Sequence, residues 1–167
     1  MAALNALLPF PEGAPWMEAN AEKVIAAHAV GKHVAIIGDF PFVTRLRPHV
    51  GKITVIDRRP HEGALPEEAA EEILPGADFI AITGMTVINR SLEGLLSLCP
   101  EEAKVMVLGP STPMTPLMFD YGVDFLSGAV VLDHQSVLRT VAQGANFRQV
   151  HKAGVQLVTL ERDLGTM

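Results

Sequence analysis

Residues 32–41 read KHVAIIGDFP, in which four consecutive apolar residues lead into a glycine and a turn. A run that is apolar on both faces is typical of a strand buried on both sides, as in a parallel sheet. A helical pattern ends just before this run at Gly31, and another can begin after it at Pro41. The stretch therefore predicts a helix–strand–helix unit, the building block of doubly wound α/β domains.

Three later stretches repeat this pattern, namely ITVID at 53–57, FIAITG at 79–84 and VMVLG at 105–109. A fifth strand is predicted over 125–131, interrupted at Ser127 and Gly128, and the tail 155–160 predicts another. Strands separated by helices pair in parallel through right-handed crossovers. We expect an α/β fold with a Rossmann-like doubly wound, mostly parallel sheet of five or six strands and helices on both faces. Counted along the chain, the expected strand order is 3-2-1-4-5, with strand 34–37 inside the sheet.

Length and composition restrict the class of protein. The 167 residues are most simply one Rossmann-like domain over 17–167, preceded by an apolar arm over 1–16. The arm carries Leu4, Leu7, Leu8, Phe10 and Trp16. Large apolar side chains of this kind need burial, and the arm can fold back on its own domain or meet a partner chain. The favoured prediction is a homo-oligomer, most simply a twofold dimer with the arm near the contact.

Charge and cysteine usage exclude several function classes. The net charge is −6 and the cations are scattered, so we expect no nucleic-acid partner. No apolar run approaches the roughly 18 residues of a membrane span, and the first residues lack a basic signal-peptide region. A single cysteine, Cys99, excludes an internal disulfide framework and a multi-cysteine zinc site. We therefore expect a cytoplasmic protein without a membrane partner.

Three chemically capable side chains have a structural interpretation that is favoured over a functional one. His28 lies on the apolar face of a helix predicted over 17–30, where a hydrogen-bonded core histidine is more common than a ligand. Cys99 follows an apolar helix face and is interpreted as packing. Asp133 is three residues before Ser136 and is more often an N-cap, here of a helix to about Gln143, than a catalytic acid.

Polar residues and glycines collect where the predicted strands end. In an open α/β sheet, ligands bind beyond the carboxyl ends of the strands at the point where the strand order reverses. We therefore expect one cleft there and assign ligand binding to Gly38, Asp39, Asp57, Thr83, Gly84, Met85, Thr86, Asn89, Gly109, Pro110, Ser111, Thr112, Gly128 and Asp133.

The first strand end argues against an ordinary NAD site. Asp57 follows Gly38 by 19 residues, as the ribose-binding acid of dinucleotide-binding domains does. Such domains, however, need glycines after the first strand so that the backbone can approach the pyrophosphate. Here Asp39 would repel a diphosphate, and Phe40 with Pro41 would obstruct it.

Residues 109–113, GPSTP, allow two interpretations. A hydroxyl residue can cap a following helix with Pro113 at its first position, which leaves free amides and two hydroxyls to bind a carboxylate or phosphate. The same residues can equally form a cap and a rigid turn without a ligand. A weaker signal is a divalent metal between Asp57 and His61, since both lie in one loop and both types ligate metals.

Read with their surroundings, these blocks resemble the putative heavy-metal chelation family, a domain of unknown function with a Rossmann-like C-terminal half. The resemblance rests on ITGMT at 82–86 with Asn89, GPSTPM at 109–114, FDYGV at 119–123, and LSG at 126–128 with Asp133. It covers roughly residues 1–145. Full-length members carry an enolase-like N-terminal domain, with a proposed site between the two halves, and the resemblance implies that this chain lacks that domain.

Two kinds of function follow as hypotheses. The first is a small-ligand-binding Rossmann-like domain that takes an anionic or metal-chelating ligand at the strand ends. The alternative is an enzyme acting on a nucleotide-like or pterin-like substrate, with Asp57 and His61 as the acid–base pair, or a non-catalytic subunit. The residues themselves name neither the ligand nor the cofactor.

Overall fold

A seven-stranded sheet organises the computed structural model, which describes residues 2–8 and 16–162. Its spatial order is β3-β2-β1-β4-β5-β6-β7, and every neighbouring pair is parallel except β6 with β7. The strands are β1 (His33–Ile37), β2 (Lys52–Ile56), β3 (Ala64–Leu65), β4 (Phe79–Thr83), β5 (Lys104–Leu108), β6 (Phe125–Val131) and β7 (Val155–Glu161). The predicted α/β fold with a mostly parallel sheet is confirmed.

The strand count and the position of one strand differ from the prediction. The third predicted strand, 79–82, was expected beyond 53–56, but it pairs with β1 as part of β4. The two-residue strand Ala64–Leu65, which the sequence did not predict, takes the outer place beside β2. Strands that are apolar on both faces fit any interior position, so their composition cannot order them. The predicted interior place of 34–37 is confirmed.

The helices are short and lie mainly between the strands. They are α1 (Ala2–Leu7), α2 (Ala21–His28), α3 (Val43–Leu46), α4 (Ala70–Ile73), α5 (Met85–Ile88), α6 (Leu92–Leu96), α7 (His134–Ala142) and α8 (Phe147–Lys152). Short 3₁₀ turns accompany them within the described part of the chain, at Arg47–His49, Glu67–Ala69, Leu74–Gly76 and Pro116–Tyr121. A break separates α5 from α6 because Arg90 has a left-handed backbone, with φ of 62°. None of the described helices is long and apolar enough to cross a membrane.

The two faces of the sheet carry separate cores, as a doubly wound sheet requires. On one face, Ile36, Phe79 and Phe125 pack with Val24 and Ile25 of α2. On the other, residues of β1, β4 and β5 pack with α4 and α6, among them Ile37, Ile80, Ile82 and Leu95. The alternation along each strand sends neighbouring residues to opposite faces.

α2 begins after Asn20, whose side-chain oxygen accepts a hydrogen bond from the N–H of Lys23 at 3.0 Å. The prediction for His28 was wrong, because this residue at the end of α2 is exposed. Its ring contacts that of Phe125 with 4.9 Å between centroids. Helical spacing placed His28 on the apolar face, but the helix ends there and the ring lies over the margin of the core.

Residues 129–157 form a projecting unit that we call the terminal ribbon. β6 and β7 pair over seven residues, whereas β5 covers only the first three of β6. The second half of β6, α7, α8 and the start of β7 therefore extend beyond the parallel sheet, and no residue from 129 to 157 is buried. Leu132, Leu138 and Val141 are exposed apolar side chains on this unit.

The predicted arm is only partly described by the structure, since Phe10 lies outside the described residues. Trp16 packs against the core cluster beneath β6 and β7. In α1, the side-chain amide of Asn5 donates to the carbonyl of Ser111 at 3.0 Å. Leu4 and Leu7 remain exposed, so α1 contacts the strand-end loops without burying its own apolar side chains.

Candidate functional site

The carboxyl ends of β1, β2 and β4 surround a depression that we call the polar cleft, with a volume of about 340 Å³. β1 is the point where the strand order reverses, with β2 on one side and β4 on the other. The predicted ligand-binding residues that line the cleft are Gly38, Asp39, Asp57, Thr83, Met85, Thr86 and Asn89. The predicted ligand-binding set did not include Arg58, Arg59, Glu67 and Ser91, which also line it.

The loop after β2 supplies the cleft with charges of both signs. Asp57 Oδ1 accepts a hydrogen bond from the N–H of Arg59 at 2.7 Å, which orients this carboxylate by its own turn. Arg58 Nε lies 3.1 Å from Glu67 Oε2. The signal that could have found the two arginines is their position directly after Asp57, at a strand end.

His61, predicted to share a metal with Asp57, makes its described ion-pair contact with Asp39. His61 Nε2 lies 3.7 Å from Asp39 Oδ2, and both side chains are about half exposed or more, at 49% and 65%. Among the described residues, no group of three or more histidine, cysteine, aspartate or glutamate side chains could hold a metal ion.

At the end of β4, hydrogen bonds within the loop already engage several predicted side chains. Thr86 is buried and its hydroxyl donates to the carbonyl of Thr83 at 2.7 Å. Asn89 Oδ1 accepts from both the N–H and the hydroxyl of Ser91, at 3.1 and 2.7 Å. The side-chain amide NH₂ of Asn89 is therefore the better candidate for contact with a ligand.

The turn after β1 brings its backbone close to the end of β4. Gly38 has φ of 108°, and a Cβ there would lie 3.2 Å from the Cβ of Thr83. A larger residue would be strained in its backbone and crowded by this neighbour. Gly38 thus lets the ends of β1 and β4 meet at the floor of the cleft.

The GPSTP loop does not form the helix start that one interpretation required. Residues 112–115 are not helical, and a 3₁₀ turn begins only at Pro116. The predicted helix position for Pro113 was therefore wrong, since the loop continues in extended conformation through Thr115, with φ of −120° and ψ of 129°.

Thr112 lies beneath this loop as a packing residue, with a relative exposure of 3%. Its Oγ1 is buried and has no hydrogen-bond partner among the described residues. A Cβ at Gly84 would lie 2.9 Å from this oxygen, so the loop after β5 packs directly on the loop after β4. Neither Gly84, Ser111 nor Thr112 lines the polar cleft.

Three other predicted residues lie on the opposite face of the sheet, in what we call the apolar cleft, of about 320 Å³. Gly109, Pro110 and Gly128 line it together with side chains that the sequence did not single out, Phe40, Phe42, Arg45, Phe147 and Leu157 among them. The expected single cleft is thus divided in two, because consecutive residues after a strand turn to opposite faces of the sheet: Asp39 borders the polar cleft and Phe40 the apolar one.

Asp133 lines neither cleft and caps α7, as the favoured interpretation predicted. Its two oxygens accept from the N–H and the hydroxyl of Ser136, at 3.0 and 2.7 Å. Hydrogen bonding from the backbone of Ser136, and then from its hydroxyl, holds the pKa of the Asp133 carboxyl below its usual range.

Cys99 is a packing residue, which confirms the prediction. It packs against the core on the α6 face, and its Sγ donates to the carbonyl of Leu95 at 3.3 Å. Burial raises the pKa of the Cys99 thiol to about 11, so it is protonated at neutral pH.

Together, the reversal of strand order at β1 and the polar strand ends define a Rossmann-like protein with a candidate ligand site at the carboxyl edge. The chain belongs to the putative heavy-metal chelation family, whose sequence profile matches residues 21–159. Among functionally curated proteins, no sequence matches.

Two solved structures share this architecture. A protein of unknown function from Desulfitobacterium hafniense, assigned to the same family, is 32% identical over 90% of this chain, with a TM-score of 0.78. A second family protein, from Pyrococcus horikoshii, is 18% identical over 96% of this chain, with a TM-score of 0.77, and shares the fold. The present chain spans 60% and 64% of those two chains, respectively.

Proposed function

We propose that the polar cleft binds a small ligand that carries anionic, metal-chelating groups. The observation that supports this is the presence of carboxylates and guanidinium groups in one cleft, Asp39 and Asp57 with Arg58 and Arg59. A metal chelate presents both signs of charge, a cation and the carboxylate or phosphate groups that hold it. Carboxylates bind the cation, and arginines bind the anionic groups by paired hydrogen bonds.

The donor set suits a metal that arrives together with its chelator. The two carboxylates that line the polar cleft, Asp39 and Asp57, would occupy only part of a divalent ion's coordination sphere, and the chelator would fill the rest. His61 lies beside Asp39 but does not complete a group of three metal-ligating side chains among the described residues. Carboxylate and imidazole donors suit manganese, nickel or zinc better than a soft thiophilic ion. When bound, the metal would link ligand and protein, while Asp57 orients it and Arg59 neutralises the anionic groups.

A dinucleotide fits the proposal less well. Asp39 follows β1 and borders the polar cleft, where a pyrophosphate would meet its negative charge. For the enzyme alternative, a second acid–base candidate is His61 with Asp39, whose side chains lie 3.7 Å apart. The proposal therefore remains ligand binding, without an assigned reaction.

Thermal unfolding with nickel, citrate and the nickel–citrate complex tests this function. A ligand that binds only the folded state stabilises it by about 2.7 kcal/mol at a hundredfold excess over Kd. We expect the complex to raise Tm more than either component, and Asp57→Asn to abolish the increase. Glu102→Gln is the control, since this exposed acid precedes β5 at the other end of the sheet. Equal shifts in Asp57→Asn and wild type would contradict the proposal.

We also propose that the protein is a cytoplasmic homodimer in which α1 contributes to the contact. The support is the exposure of Leu4 and Leu7, at 39% and 84%, on a helix that touches its own chain through Asn5. Light scattering of the full chain and of a variant with Leu4 and Leu7 changed to serine would test this. A monomer of about the chain mass, 17.9 kDa, in both proteins would overturn it.

A further inference from the structure

The apolar cleft lies on the α2 face of the sheet, apart from the polar cleft and from its proposed function. One wall comes from the segment after β1, with Phe40 and Phe42, and the other from the terminal ribbon, with Phe147 and Leu157. Its volume of about 320 Å³ is in the range of small-molecule sites, which are mostly apolar with few polar groups.

Most polar side-chain atoms that line the apolar cleft have partners among the described residues. Arg45 bonds Glu22 through two nitrogens, at 2.9 and 2.6 Å, and this bond holds the pKa of the Glu22 carboxyl below its usual range. Asn20 Oδ1 accepts from the backbone of α2, and the hydroxyl of Ser127 accepts from Thr159 at 3.1 Å. A charged ligand would lose hydration here without gaining a free counter-charge, which excludes it on energetic grounds.

The walls favour a ring over a flexible chain. The rings of Phe40 and Phe42 stack with 5.4 Å between centroids and 25° between planes, so they present a firm aromatic surface. Phe147 lies on the other wall with 43% of its surface exposed. Aromatic rings gain most by contact with other rings at such separations.

Two glycines, Gly109 and Gly128, also line the apolar cleft. Gly109 has φ of 131°, a backbone conformation that other residues rarely adopt. At Gly128, a Cβ would lie 2.5 Å from the sulfur of Met114, so Met114 would have to move to accommodate any larger residue there. Neither glycine adds a side chain to the lining of the apolar cleft.

We propose that the apolar cleft is a second binding site, for an uncharged and mainly apolar ring compound. The chemistry that recognises it is the aromatic wall of Phe40 and Phe42 opposite Phe147, with the charges of the rim neutralised by the Glu22–Arg45 pair. The ligand exchanges hydration for aromatic contact, and no bond is made or broken.

Titration with N-phenyl-1-naphthylamine, a neutral probe that becomes fluorescent in apolar surroundings, tests the site on the full chain. We expect saturation at one probe per chain, and about fivefold weaker binding in Phe147→Ala, since one aromatic wall is lost. Phe147→Trp should retain binding because the wall remains. Leu138→Ala is the matched control, a more exposed apolar residue of the same ribbon that does not line the cleft.

Three results would overturn this site. Equal weakening in Leu138→Ala would show that the probe binds exposed ribbon surface. Affinity that falls as protein concentration rises would show that a second copy covers the cleft. Unsaturable binding would show non-specific adsorption. Asp57→Asn should bind the probe as wild type does, so failure here and failure of the chelate proposal are separate outcomes.

Discussion

The parallel sheet and the terminal ribbon of this chain are stabilised by different interactions. β1, β4 and β5 are covered on both faces, and Ile36, Phe79 and Ile80 have no exposed surface. The ribbon, residues 129–157, contains two helices and parts of two strands but no buried residue. Its regular structure depends on caps and on strand pairing, whereas the sheet depends on burial of apolar surface.

This difference indicates where stability and binding are located. The sheet holds the strand ends of the polar cleft in place, because their backbones continue directly from buried strands. The ribbon carries one wall of the apolar cleft on a unit with little packing of its own. Regions with few buried contacts open at low free energy, so we expect the ribbon to exchange amide hydrogens faster than the sheet.

The largest contrast should come from one substitution made in both regions. Phe125→Ala removes a side chain with no exposed surface and should cost about 3–5 kcal/mol of unfolding free energy. Phe147→Ala removes one that is 43% exposed and should cost less than about 1 kcal/mol. Urea unfolding of both variants measures this. Similar losses would mean that the ribbon is packed as tightly as the sheet.

A smaller effect is expected where the two strand-end loops touch. A Cβ at Gly84 would lie 2.9 Å from Thr112 Oγ1 and 3.2 Å from its Cα, so Gly84→Ala should cost about 1–3 kcal/mol by overpacking. Gly76→Ala is the control, because a Cβ there meets nothing within 4 Å. Chemical denaturation of both variants measures this. If neither substitution changed the free energy of unfolding, the contact between Gly84 and Thr112 would be refuted.

Thr112→Val tests the buried hydroxyl of the same loop. Because Oγ1 is buried without a partner, an apolar group of similar shape should stabilise the protein by about 1 kcal/mol. The midpoint of urea unfolding should rise without a change in slope. A lower midpoint would mean that the hydroxyl holds a water or a ligand, which would restore the functional interpretation of Thr112.

Removal of a helix cap should also affect the sheet and the ribbon differently, at a cost of about 1 kcal/mol in helix stability. Asn20 caps α2, whose residues pack in the core, so Asn20→Ala should lower global stability. Asn146 forms a capping box with Gln149 at α8, where no residue is buried. Asn146→Ala should therefore mainly accelerate hydrogen exchange within α8. Equal global losses would contradict this assignment of local and global roles.

The smallest effect is the pH dependence of the α7 cap. Hydrogen bonds from Ser136 hold the pKa of Asp133 below its usual range in the folded state. The unfolded state then binds more protons, so the cap contributes fully above the unfolded-state pKa and is lost as pH falls through the folded-state pKa. Protection factors of α7 amides should fall on acidification. Asp133→Asn keeps a capping side chain without titration, and the same fall there would refute this origin.

Much of the fold was predictable because apolar periodicity is a local property. The buried strands at 34–37, 79–82 and 105–108, and the caps at Asp133 and Gly144, are marked by nearby residues alone. The sequence did not predict an uninterrupted β6, since Ser127 and Gly128 suggest a break until β7 pairs alongside. It did not predict the helix α8 either. Half of the polar cleft was predicted, because strand ends are recognisable, but Arg58 and Arg59 carry no periodic signal.

The sequence by itself determined that doubly apolar strands alternate with helices, that polar residues follow the strands, and that the chain belongs to its family. Only the tertiary structure decided which strands are neighbours, that the strand-end residues divide between two clefts, and that His61 lies beside Asp39. The physical reason is that local composition indicates which strands are buried, whereas the pairing of strands in a sheet depends on the packing of the whole chain.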